Sequence, residues 1–136
     1  MTTLTSRCAT LLGALLLGIP GRQAMAQTAT DTTAAITPAT IALGDSIFHG
    51  KAGRGTCFVC HGMDANGNPG VAPSLRSGHW IHGDGSYQFI LSTITTGVHK
   101  PKRGDVPMPA GGGTQFTSAQ LHAVAAYVFS LTHPHH

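Results

Sequence analysis

The sequence predicts an all-α domain with three main helices joined by long loops. Three stretches place apolar residues at a helical period, and a Gly-, Pro- and His-rich loop from Gly53 to Gly85 separates the first stretch from the second. Ordinary core material is scarce: 6% of the residues are aromatic and 18 are glycine. A domain this small buries limited apolar surface by itself. A bound group serving as part of the core is therefore expected.

The first helix is expected from about Pro38 to Gly50. Thr37 is placed as its N-cap and Pro38 at its first position, and Ile41, Gly44, Ile47 and Phe48 share one face. The second is "SYQFILSTITTG", in which Tyr87, Ile90, Leu91 and Ile94 fall at i, i+3, i+4 and i+7 and Gly97 supplies the stop. Its Ile and Thr content suits a strand equally, but the spacing is helical. The third is "TSAQLHAVAAYVFSLT", opened by Thr117 and Gln120 in capping-box relation. Leu121, Val124, Ala125, Val128 and Leu131 line its inner side.

Residues 1–26 read as a secretory signal rather than as part of the domain. Arg7 precedes an apolar run from Leu11 to Ile19, Pro20 and Gly21 break it, and "AMAQ" offers small residues ahead of a cleavage point at Gln27. Nine residues are too few to span ~30 Å of hydrocarbon, and Cys8 lies ahead of the run, where a lipid anchor does not start. Residues 27–37 form a flexible lead, 38–132 the domain and 133–136 a His-rich tail. Beyond residue 26, six basic side chains face five acidic ones, leaving a net charge of +1. That balance gives no broad basic face for nucleic acid.

The strongest chemical signal is "CFVCH", Cys57 to His61. Cys-x-x-Cys-His is the attachment pattern of a c-type haem. Each thiol adds across a vinyl group, two intervening residues let both sulfurs reach one porphyrin edge, and the next imidazole sits under the iron. A zinc site would require a second ligand pair, and Cys8 is the only other cysteine. A thioredoxin-like dithiol would require a βαβ setting, and a structural disulfide would leave His61 without a role.

On these residues the chain resembles the small class I, mono-haem cytochromes c, over roughly residues 38 to 132. The resemblance implies a cytochrome c fold wrapped around one covalently attached haem c. In that family the first helix crosses the last at a glycine with aromatics nearby; Gly44, Phe48 and Tyr127 match those places. "GVAPSL" is similar to the segment whose proline carbonyl orients the haem histidine, and Pro73 matches that position. There an acceptor takes the Nδ1 proton and raises the basicity of the ring. The "ITTGV…MPAGGG" run resembles the family's middle helix and ligand loop. "GHWIHG" resembles, more loosely, cytochrome domains attached to haem-copper oxidases and dehydrogenases.

Met108, framed by Pro107 and Pro109, is the expected second axial ligand beside His61. His/Met ligation favours reduced iron and raises the potential. Met1 and Met25 leave with the signal, and Met63 lies too close to His61 to reach across the ring. His79, His82 and His99 are the competing ligands, from loops that approach the same region. His133, His135 and His136 read as a frayed tail rather than a metal site. Trp80, the only tryptophan, serves either as a donor to a haem propionate or as packing. Lys100, Lys102 and Arg103 are either a solvated loop or a docking patch for an acidic partner.

The function expected is that of a periplasmic carrier of single electrons, not an enzyme on its own, with redox proteins as donor and acceptor and no stable membrane insertion. A second reading is a cytochrome subunit, or dedicated acceptor, of a periplasmic dehydrogenase or terminal oxidase. A third is a gas-binding or peroxidatic haem protein, which requires Met108 to be labile or absent from the iron.

Overall fold

The computed structural model describes residues 36–133. The expected signal, residues 27–35 of the lead and residues 134–136 of the tail lie outside the described residues. The elements in chain order are α1 (Pro38–Phe48), α2 (Cys57–His61), α3 (Tyr87–Thr96), a 3₁₀ turn (Ala110–Gly113) and α4 (Ser118–Ser130). Among the described residues there is no strand, only two isolated antiparallel bridges, Asn68 with Ala72 and Val98 with Met108.

Cap chemistry sets the helix starts. Thr37 Oγ1 accepts from the Thr40 amide at 3.1 Å, and Ser86 Oγ accepts from the Phe89 amide at 3.3 Å. The Thr117–Gln120 capping box is complete: Gln120 N–H donates to Thr117 Oγ1 at 3.3 Å, and Thr117 N–H donates to Gln120 Oε1 at 2.9 Å. Losing one such cap costs about 1 kcal/mol. Thr117→Ala is therefore expected to lower the thermal midpoint by a few degrees while leaving helix content, read by circular dichroism, unchanged.

Helices α1 and α4 cross at Gly44. A Cβ there would run into the Ala123 carbonyl and lie 2.8 Å from Tyr127 Cβ, so only a glycine lets the two backbones meet. The rings of Phe48 and Tyr127 pack beside the crossing with centroids 5.2 Å apart. Helix α3 packs on α4 from another side through Tyr87, Ile90 and Ile94, all buried. Wedged between the two, α4 is buried at every position from Ala123 to Val128. Its expected inner side is thus too narrow: Ala123, Ala126 and Tyr127 are buried too, whereas Leu121 and Leu131 are half-buried at its ends.

His49, just past α1, ties that helix to the loop after α2. Its Nδ1 donates to the Asp45 carbonyl at 2.9 Å and lies 3.0 Å from the Asp45 carboxylate; its Nε2 donates to the Met63 carbonyl at 2.8 Å. Both ring nitrogens meet acceptors alone, an arrangement that the imidazolium satisfies and either neutral tautomer does not. Burial works against the charge, and so does Lys51, but the two carbonyls and Asp45 outweigh them and raise the pKa above 6.5. Tyr127, whose ring centroid lies 5.9 Å away, is held neutral by burial, which raises its pKa. A raised folded pKa means that this stabilisation is complete below the unfolded value, ~6.5, and is lost as pH rises through the folded one. The thermal midpoint should therefore decline over that interval, and His49→Gln should flatten the slope; an equal slope in the variant would refute the assignment.

Candidate functional site

The short helix α2 carries Cys57, Cys60 and His61 and is held in place from three sides. At its C-terminal end Asn68 Nδ2 donates to the carbonyls of Val59 (3.1 Å) and Cys60 (2.9 Å), and the Gly67 amide donates to that of His61 (2.7 Å). At its start Thr56 Oγ1 donates to the Gly112 carbonyl at 3.0 Å. One step away, Thr114 Oγ1 donates to the Arg54 carbonyl at 3.1 Å. These last two bonds join α2 to the glycine turn that follows Met108. Asn68 sits in "GNPG", which reads as turn punctuation, so its part in supporting α2 has no visible signal in the sequence.

His61 Nδ1 donates to the Pro73 carbonyl at 3.0 Å. That bond leaves Nε2 as the ring's lone-pair nitrogen. Burial holds the imidazole below its ordinary pKa, against the opposing pull of the Pro73 carbonyl. The ring is thus a neutral donor at physiological pH. Cys57 and Cys60 are not joined to each other in a disulfide, and burial pushes the pKa of an unattached Cys57 thiol up.

Met108 is pinned through its main chain. Its amide donates to the Val98 carbonyl at 3.1 Å, and the Val98 amide donates to the Met108 carbonyl at 2.7 Å. Pro107 and Pro109 have no N–H, so Met108 carries the only main-chain donor of this tripeptide. Gly97 does more than stop α3: with φ +74°, it brings α3 so close that a Cβ would strike the Met108 carbonyl. After Pro109 the chain turns through Gly111, Gly112 and Gly113, all with φ between 57° and 86°.

Cys57, Cys60, His61, Pro73, Trp80 and Met108 all line one cavity of about 350 Å³. Phe48, Ile90, Ile94, Val124 and Val128 form much of its apolar wall. His79 and His82 also line it; His99 and Met63 do not, and the Met63 side chain is exposed. Trp80 is half-buried, with its indole packed over Gly85. Lys100, Lys102 and Arg103 are exposed, and of the three only Arg103 lines this cavity. Among the described residues no group of three His, Cys, Asp or Glu side chains is placed to hold a bare metal ion. Two thiols, a neutral imidazole and a thioether in an apolar cleft suit a flat, largely apolar group that brings its own metal.

Fold and cavity together define a mono-haem c-type cytochrome domain. The chain belongs to the family described as cytochrome c oxidase, cbb3-type, subunit III, whose model matches residues 39–128. Membership brings with it a covalently attached haem c, and Cys57 and Cys60 have the spacing for that attachment. The chain is 36% identical over 80 residues to the cbb3-type cytochrome c oxidase subunit CcoP of Rhodobacter capsulatus, covering 55% of this chain and 25% of that protein. It is 40% identical over 76 residues to the subunit FixP of Bradyrhizobium sp., covering 23% of that protein. The chain thus spans about a quarter of the length of these curated relatives. Among solved structures, cytochrome cL of the marine methylotroph Methylophaga aminisulfidivorans shares the fold at a TM-score of 0.50 and 22% identity, over 69% of this chain and 54% of that one.

Proposed function

We propose that the protein passes single electrons between redox partners, with His61 and Met108 as the two axial ligands of a haem c joined to Cys57 and Cys60. The observation that carries this reading is that both proposed ligands line one cavity and both are fixed through main-chain atoms, His61 by the Pro73 carbonyl and Met108 by Val98. Haem c, when bound, supplies a one-electron ferric/ferrous couple. The two cysteines hold it against loss, the Pro73 carbonyl keeps His61 in the tautomer that offers Nε2, and the apolar wall keeps water from the ring. Electron transfer at a centre with both axial positions filled needs no substrate at the metal, and the protein is read as a carrier rather than an enzyme on its own.

The relatives' names support a cbb3-type cytochrome c oxidase as the partner. Among the described residues no helix is long and apolar enough to cross a membrane. With the export signal read in residues 1–26, this supports a periplasmic protein that docks on the oxidase or serves as its subunit. The attachment is tested by denaturing electrophoresis with a haem stain. The expected result is a stained band at full intensity, lost in a variant carrying both Cys57→Ala and Cys60→Ala; an unstained wild-type band refutes the reading. Co-purification with the oxidase from native membranes tests the partner.

A further inference from the structure

We propose that Arg103 is the counter-charge for a haem propionate and so a positioning residue that raises the reduction potential. This rests on the haem reading above. Arg103 is the only lysine or arginine that lines the cavity shared by His61 and Met108. A second hollow adjoins that cavity and shares Pro73, His79, Trp80 and Arg103 with it. Cys57, Cys60, His61 and Met108 line only the first. No aspartate or glutamate lines either hollow, and among the described residues Arg103 makes no ion pair.

A haem joined to the protein along its vinyl edge presents its two carboxylates along another edge. In an apolar cleft an unpaired carboxylate is strongly disfavoured, and the lining offers few groups to meet it. Lys102 lines only the second hollow, whereas the guanidinium of Arg103 lines both, and its planar fork matches a carboxylate at two points. The Trp80 indole N–H and the imidazole of His79, at the same junction, are the secondary donors. A cation paired with the propionate cancels a negative charge beside the iron and favours the ferrous form. The same arginine is thereby assigned to the cofactor rather than to a partner-docking patch with Lys100 and Lys102.

The test is a redox titration of the holoprotein and three variants, Arg103→Gln, Arg103→Lys and Lys100→Gln. Arg103→Gln is expected to shift the ferric/ferrous balance roughly tenfold toward ferric at a fixed ambient potential, equivalent to ~59 mV for a one-electron couple. Lys100→Gln removes the same charge from the same exposed run, at a residue that lines neither hollow, and is expected to move the balance less than twofold. Arg103→Lys keeps the charge but loses the fork, and should fall between wild type and Arg103→Gln. Equal shifts in Arg103→Gln and Lys100→Gln would overturn the proposal, because a solvated loop charge predicts that result. An Arg103→Lys potential identical to wild type would overturn the forked pairing. Haem staining and the low-spin visible spectrum of wild type report separately on the underlying haem reading. Should Arg103→Gln yield no holoprotein, the Arg103→Lys comparison decides on its own.

Discussion

Met108→Ala is expected to lose the low-spin ferric spectrum and the weak red-edge band of sulfur–iron charge transfer. Without the thioether, water or a neighbouring imidazole takes the sixth position, and the preference for ferrous iron falls. Axial ligation governs a span of ~0.8 V across haem proteins, and this substitution should lower the potential by a substantial part of it. The main-chain bridge to Val98 does not require the methionine side chain, so the fold and the covalent haem should both persist. His79 and His82 line the same cavity and are the candidates to replace the sulfur; a low-spin spectrum without the red-edge band identifies that replacement. An unaltered spectrum with the band still present would remove Met108 from the iron.

Gly44→Leu should produce the largest loss of stability. The added side chain would have to enter the space occupied by the Ala123 carbonyl and the Tyr127 Cβ, and a backbone carbonyl within a helix cannot swing aside. Overpacking costs ~1–3 kcal/mol even where neighbours adjust. Here the cost should reach the top of that range, lowering the thermal midpoint by about 10–20 °C in a domain of this size. Calorimetry of the holoprotein checks the prediction. A midpoint within about 2 °C of wild type would mean that α1 and α4 do not meet at Gly44.

Helices α1, α3 and α4 were legible because their starts depend on local chemistry. Thr37, Ser86 and Thr117 cap the residues that follow them, and the apolar spacing names at least one inward face. Helix α2 was legible as a motif but not as a helix: five residues have no period, and its support comes from Asn68 and Gly67, beyond its own span. The breadth of burial along α4 was hidden for a different reason. Alanine is small enough to face a neighbouring backbone or solvent, so Ala123 and Ala126 carry no periodic signal.

The site divides in the same way. Residue types near Cys57–His61 name the cofactor, and the likeness of "GVAPSL" to a family segment points to Pro73, whose carbonyl does accept from His61 Nδ1. The two prolines around Met108 suggested a rigid posture without saying what holds it. The partner is Val98, ten residues upstream, and it became visible only once the chain had folded back on itself. Arg103 is a further case. In sequence it belongs to a basic run with Lys100 and Lys102, and only the cavity separates it from them.

With Met108 as the proposed ligand, the Val98–Met108 bridge would act as an internal clock for ligand release. On that reading, moving the whole ligand segment away from the haem would open two reciprocal amide bonds and part the segment after α3 from its neighbour. Such an opening is a small cooperative unit with a free energy below that of global unfolding. The Val98 and Met108 amides should therefore exchange with deuterium at one common rate, slower than the surrounding loop and faster than the core of α4. Thioether sulfur favours ferrous iron, so that common rate should drop when the protein is reduced. Two peptide hydrogens would then read out the oxidation state of a metal to which neither is bonded.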